Sequence, residues 1–247
     1  MKIEFVAAVD AAEIVAVPVF EDRALTPAGS ALDGKAGGAL TKAMSKGRFA
    51  GKAGQSLLIP APAGVDADAV LLIGAGDKAK LDDLAVEAFG GSAYGAVKLS
   101  GAEVLTIDAS DLTPEQAARV GFAARLAAYR FDKYRTTQKA DKIASITTVR
   151  IATTDLRGAE AALEPLSAVA DGVIFARDLV SEPANVLYPA EFAKRVKALE
   201  SLGLEVEILG EAEMETLGMR TLLAVGQGSR RESQLAVIQW KLSLIHI

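Results

Sequence analysis

The stretch DAVLLIGAG, Asp68 to Gly76, is an apolar run without polar alternation, bounded by turn-forming residues. A strand reads this way when both faces of its sheet are covered. QSLLIP (Gln55 to Pro60), just upstream, has the same character. Working outward, KIEFVAAV (Lys2 to Val9) and EIVAVPVF (Glu13 to Phe20) are short and rich in β-branched residues, as strands are. AEVLTI (Ala102 to Ile107) and SITTVRIAT (Ser145 to Thr153) continue the strand series.

Helical patterns separate these strands. Ser30 to Gly47 is one such pattern, weakened by its glycines, and Lys80 to Leu99 is another. The pattern from Asp111 to Phe131 has the clearest start: Thr113 can cap, Pro114 suits the first helical position, and Gln116 stands where a capping box needs Glu or Gln. Its alanines lie on nearly every side, which predicts a helix packed between layers. This alternation specifies an α/β layered domain over residues 1–158, with a largely parallel or mixed sheet.

A second α/β unit is expected over residues 159–241. A long helix runs from Ala159 to Val180 and stops at SEPAN (Ser181 to Asn185). Pro189 opens another, with Phe192, Val196 and Leu199 forming its apolar stripe. LEVEIL (Leu204 to Leu209) alternates as a half-buried strand, and EAEMETLG is a short helix with Gly218 as its stop. TLLAVGQGS and QLAVIQW read as strand, glycine loop and strand. LLAV and QLAVIQW are then expected as unpaired apolar edges that favour aggregation. Deleting the chain from about residue 160 should improve solubility. Residues 242–247 form a tail of different style carrying the single histidine, His246.

Composition narrows the function classes. Apolar residues make up 51% and charged residues 24%, enough for a sizeable core. Lys and Arg number 27 against 32 Asp and Glu, with no basic stripe interleaved with aromatics, so nucleic-acid binding gains no support. There is no cysteine, which excludes disulfides and thiolate chemistry. The acidic residues Glu4, Asp10 and Glu13 rule out a signal peptide or membrane span at the start. A cytoplasmic protein is expected.

Individual motifs point to scaffold. The Gly74-Ala75-Gly76 turn could cradle a phosphate, but it lacks the third glycine of a dinucleotide fingerprint and the Lys-Ser/Thr of a P-loop. A tight turn requiring positive φ explains it better. Arg230 and Arg231 after Gly226 and Gly228 could clamp an anion, though a solvated connection between strands is the better account of them. Glu182-Pro183-Ala184-Asn185 reads as a helix terminator and turn, and Asp82-Asp83 as favourable charge at a helix start. With one histidine and no G-x-S-x-G elbow, no Ser-His-Asp set can be assembled.

Taken together and in order, EPAN, LGM, LLAVGQGS and VIQW, within Ala176 to Trp240, resemble the linker and opening of the catalytic domain of leucyl aminopeptidases. GGALTKAMSKGRFAGKAGQ (Gly37 to Gln55) and YRFDKYRT (Tyr129 to Thr136) resemble that family's N-terminal domain. The resemblance implies a mixed-sheet, macro-like N-terminal domain followed by an incomplete α/β metallopeptidase domain. It implies an intact parent that removes N-terminal residues, notably Leu, from peptides. Two divalent ions, Mn2+ or Zn2+, would activate a bridging water there, in a cytosolic homohexamer. The family's metal-ligand motifs, a glycine-lysine-glycine segment and an N-T-D-A-E-G-R stretch, are absent from this sequence. No catalytic, metal or substrate-binding residue is therefore assigned to any position. The chain is expected to be an inactive fragment with no bound metal of its own. The alternative is a stand-alone macro-like module serving ligand binding, for instance of ADP-ribose, or oligomer assembly.

Overall fold

The computed structural model describes residues 1–9 and 12–241. The chain divides into two compact units, Met1–Ile174 and Phe175–Ile247.

Unit 1 is built on one sheet. Its strands are β1 (Lys2–Val6), β2 (Ala12–Phe20), β3 (Ala24–Leu25), β4 (Ser56–Pro60), β5 (Ala67–Gly76), β6 (Val104–Asp108) and β7 (Thr148–Ala152). The order is β1-β7-β6-β2-β5-β4, with β3 paired to β2. Strands β1, β7, β6, β2 and β5 run parallel; β4 and β3 are antiparallel to their neighbours. The mixed α/β sheet expected from the strand–helix alternation is thus present.

The long apolar runs are explained by burial on two faces. Along β2, Ile14 and Ala16 enter one core while Val15, Val17 and Val19 enter the other. Along β5, Leu71 and Ile73 face the first core, and Val70 and Leu72 the second. The first core is closed by helices α3 (Asp83–Val97) and α4 (Pro114–Ala127), the second by α2 (Ala39–Lys46) together with part of α1 (Pro27–Lys35). QSLLIP departs from its expected reading. As β4 it is an edge strand of alternating exposure, with Leu58 46% exposed, because only β5 pairs with it.

Helix α4 starts as predicted, with Thr113 and Gln116 forming a reciprocal capping box. It packs so tightly on α3 that a Cβ on Gly90 would lie 2.4 Å from the Val120 carbonyl oxygen. The helix expected over Ser30 to Gly47 is two helices. Gly37 and Gly38, at φ +60° and +79°, adopt left-handed conformations that break it. Asp33 then ties the second helix to the first, accepting from the Leu40 and Thr41 amides at 2.8 and 3.2 Å. Helix α5 (Leu156–Ser181) covers the expected helical span; within unit 1 it buries Ala159 and Ala170. Arg125 of α4 reaches Asp171 at 2.6 Å and the Ser167 carbonyl at 3.3 Å.

Unit 2 contains α6 (Pro189–Lys197), β8 (Glu205–Leu209), α7 (Glu211–Thr216), α8 (Arg220–Gly226) and β9 (Leu235–Gln239). β8 and β9 form an antiparallel ribbon. Among the described residues of unit 2, Ala193, Val196, Val206, Leu209 and Met214 are the buried apolar ones. The face of α6 follows the expected stripe in part: Val196 is buried as expected, but Ala193 is buried in place of Phe192, which is 43% exposed. TLLAVG is helical, so LLAV is not a strand edge. Four apolar residues are too few for periodicity to distinguish strand from helix, and Leu and Ala favour helix where no partner strand is at hand. Gly218 ends its helix at φ +75°, as anticipated.

Candidate functional site

The motifs singled out from sequence are mostly absorbed by the scaffold. Gly74 lies inside β5, where a Cβ would meet the Lys52 carbonyl oxygen at 2.0 Å, and Gly76 turns the chain at φ +77°. Asp82 caps α3 through the Ala85 amide at 2.8 Å, and Asp83 pairs with Arg119 at 2.8 Å. A helix start held by two carboxylates repels a phosphate, so the glycine turn is a close approach and a bend.

In unit 2, EPAN follows the end of α5, and the Val186 and Leu187 amides fold back onto the Pro183 carbonyl. Glu182 and Glu191 both take hydrogen bonds from Arg195, at 3.3 and 3.1 Å. Glu191 first, then Glu182, stabilise the charged guanidinium and push its pKa further up. Arg231 stacks on the Tyr188 ring, 3.6 Å from its centroid, so it is engaged by an aromatic face rather than poised as one arm of an anion clamp. His246 and the rest of the tail from Leu242 lie outside the described residues.

The structure brings together a set of residues that sequence reading missed. β6 pairs with β2 only over Leu105–Ile107 against Ile14–Ala16. β2 then continues through Pro18, which has no amide proton to donate, and β6 ends at Asp108. From β2 the chain proceeds to α1 on one side of the sheet; from β6 it proceeds to α4 on the other. Adjacent parallel strands whose connections leave on opposite faces open a crevice at their carboxyl ends, where open α/β sheets bind ligands.

Asp108 stands at that point, 2% exposed. Its Oδ1 accepts from the Ser110 hydroxyl at 2.7 Å and amide at 3.2 Å, while among the described residues Oδ2 has a single long contact, 3.4 Å from Thr26 Oγ1. Among the described residues no Lys or Arg pairs with it. The carboxylate lines two cavities. One, of about 40 Å³, lies among Phe20, Phe89 and Leu112, with Lys78 at its border. The other, about 270 Å³, runs beside α1 and includes Lys35. The signal in sequence was slight: an apolar strand ending in an aspartate two residues before a serine.

Among the described residues, no group of three or more His, Cys, Asp or Glu side chains is arranged to hold a metal ion. The residues described do not fit a two-metal centre. No described helix is long and apolar enough to cross a membrane.

The same chain, compared with known proteins, matches two models in sequence order. The N-terminal domain of the cytosol aminopeptidase family matches residues 16–138, and that family's catalytic domain matches residues 174–244. A "Probable cytosol aminopeptidase" of Caulobacter vibrioides is 52% identical over 97% of this chain and 49% of the relative. One from Methylorubrum extorquens is 44% identical over 90% of this chain and 45% of the relative. The chain thus spans about half the length of the curated relatives it matches. Among solved structures, a tomato leucine aminopeptidase variant shares the fold with a TM-score of 0.83 at 23% identity, over 96% of this chain and 50% of that one. The bottromycin maturation enzyme BotP gives a TM-score of 0.73 at 25% identity, over 94% of this chain and 46% of that one. Two consecutive domain models of one family, and relatives aligned over nearly the whole chain, lead to a single assignment: the chain belongs to the cytosol aminopeptidase family.

Proposed function

We propose that the protein represented by this chain is a metal-dependent aminopeptidase that hydrolyses N-terminal residues, notably Leu, from peptides. The observation that carries this reading is the ordered match to both domains of the family, backed by 52% identity over 97% of the chain. In this reading residues 1–158 supply the N-terminal domain and residues 159–241 the linker helix and opening of the catalytic domain. The metal ligands belong to sequence outside these residues, so the chain by itself is inactive. Two ions, Mn2+ or Zn2+, would activate water in the whole enzyme; a structure of the neighbour BotP in complex with Mn supports manganese. A cytoplasmic homohexamer completes the proposal.

The test has two arms. With Mn2+ or Zn2+ added, this chain should release no leucine from leucine amide. The product of the same gene, read over the length of the Caulobacter relative, should release it. Turnover by the chain itself would overturn the placement of the metal ligands. No turnover by the longer product with either ion would overturn the aminopeptidase reading.

A further inference from the structure

We propose that the groove beside α1 in unit 1 binds a short apolar peptide, holding its free amino terminus at Asp108 and its free carboxylate at Lys35. The inference stands on unit 1 alone and does not depend on the aminopeptidase reading.

The groove has a defined length. Ala28, Ala31, Leu32 and Lys35 line it from α1, spaced as i, i+3, i+4 and i+7, so they form one stripe along the helix. From Ala28 to Lys35 the helix rises about 10 Å. An extended chain advances about 3.3–3.6 Å per residue, so roughly three residues span that stripe. Val15 and Val17 of β2, the Ala7–Val9 segment after β1 and Ala152 of β7 supply the apolar remainder of the lining. The small side chains leave room for a peptide backbone, and the volume of about 270 Å³ sits just below the range of about 300–1,000 Å³ that holds drug-sized ligands.

The two ends carry opposite charge. Thr26 caps the start of α1 and contacts Asp108, which places the carboxylate at that end. Asp108 is buried, has no cationic partner among the described residues, and its Oδ2 retains acceptor capacity. A buried carboxylate in that state favours an incoming ammonium group. It also opposes phosphate, which the helix N-terminus would otherwise attract. Lys35 is the last residue of α1, exposed and with no ion pair among the described residues. An ammonium at one end, a carboxylate at the other and small apolar side chains between them describe a free tripeptide.

Isothermal titration of the full chain with Ala-Val-Ala, in EDTA to prevent cleavage, tests this directly. The free tripeptide should bind, and the N-acetylated and C-amidated forms should each bind at least tenfold more weakly. In Lys35→Glu, affinity for the free tripeptide should fall at least tenfold, and amidation should cause no further loss. In Asp108→Asn the same should hold for acetylation. If Asp108→Asn loses its folded circular-dichroism signal, Lys35→Glu carries the test. Absence of heat at millimolar tripeptide, or equal binding of the free and blocked peptides, would overturn the proposal and leave Asp108 as a tie between β6 and α1.

Discussion

Unit 1 covers both faces of a seven-stranded sheet, whereas unit 2 sets a two-stranded ribbon against short helices. The consequence is visible in single residues. Leu71, Ile73, Val70 and Leu72, consecutive along β5, are all at most 1% exposed. In unit 2, Val225 is 87%, Trp240 71% and Ile238 49% exposed. Burial here depends less on how apolar a segment is than on whether a second layer lies over it. A two-stranded ribbon cannot supply that layer for itself.

The largest effect should come from dissecting the chain. Residues 1–174 should fold alone with one cooperative thermal transition; residues 175–241 alone should show none. Cutting at residue 158 also removes the ribbon but strips from unit 1 the first part of α5, with Ala159 and Ala170 both at 0% exposure and Asp171 paired to Arg125. The 1–158 piece should therefore melt at least ~5 °C below the 1–174 piece, corresponding to about 2 kcal/mol at this size. Equal melting temperatures would show that α5 adds nothing to unit 1. A cooperative transition in 175–241 would break the contrast altogether.

Core truncation should sharpen the same contrast. Leu71→Ala opens a cavity between layers that cannot close over it, and should cost about 3–5 kcal/mol in urea unfolding. Met214, also fully buried, lies in the thinner unit, where neighbours can collapse. Met214→Ala should fall near the low end of the range, about 2 kcal/mol. Equal costs would mean that unit 2 is packed as rigidly as unit 1.

What could be read from sequence follows the same division. DAVLLIGAG and the Thr113 capping box were legible because their signals are local: a run that fits only a doubly covered strand, and a cap whose partners are three residues apart. The break at Gly37 and Gly38 was half legible, since glycines weaken a helix pattern without saying whether left-handed φ is required. LLAV was misread because four apolar residues carry no period, and only the absence of a partner strand settles its state. QSLLIP was assigned one covering layer too many for the same reason: strand order is not written in a strand. The groove beside α1 was invisible because Val9, Val17, Leu32, Asp108 and Ala152 meet only after five parallel strands are ordered. An aspartate at a strand end has no spacing pattern to announce it.

The smallest expected effect distinguishes the units by how each responds to pH. Tyr94 of α3 is 2% exposed, and burial pushes its pKa above the usual 10.0, with Arg130 pulling weakly the other way. Above pH 10 the unfolded chain releases this proton while the folded chain retains it. The stability tied to Tyr94 is therefore fully present below pH 10 and is lost as pH rises through the raised value. Tyr94→Phe should flatten that alkaline decline in the 1–174 piece, with little dependence on salt. In unit 2, Glu200 is held below its usual 4.5 chiefly by the hydrogen bond from Lys197, 2.9 Å away. Its contribution is present above pH 4.5 and lost as pH falls through the lowered value. Because that pair meets solvent, about 0.5 M salt should weaken it, and Lys197→Met should remove the salt dependence near pH 4. A Tyr94→Phe chain that declined as steeply as its parent above pH 10, or an acid arm indifferent to salt, would mean that the covered and uncovered units do not differ electrostatically as their layers imply.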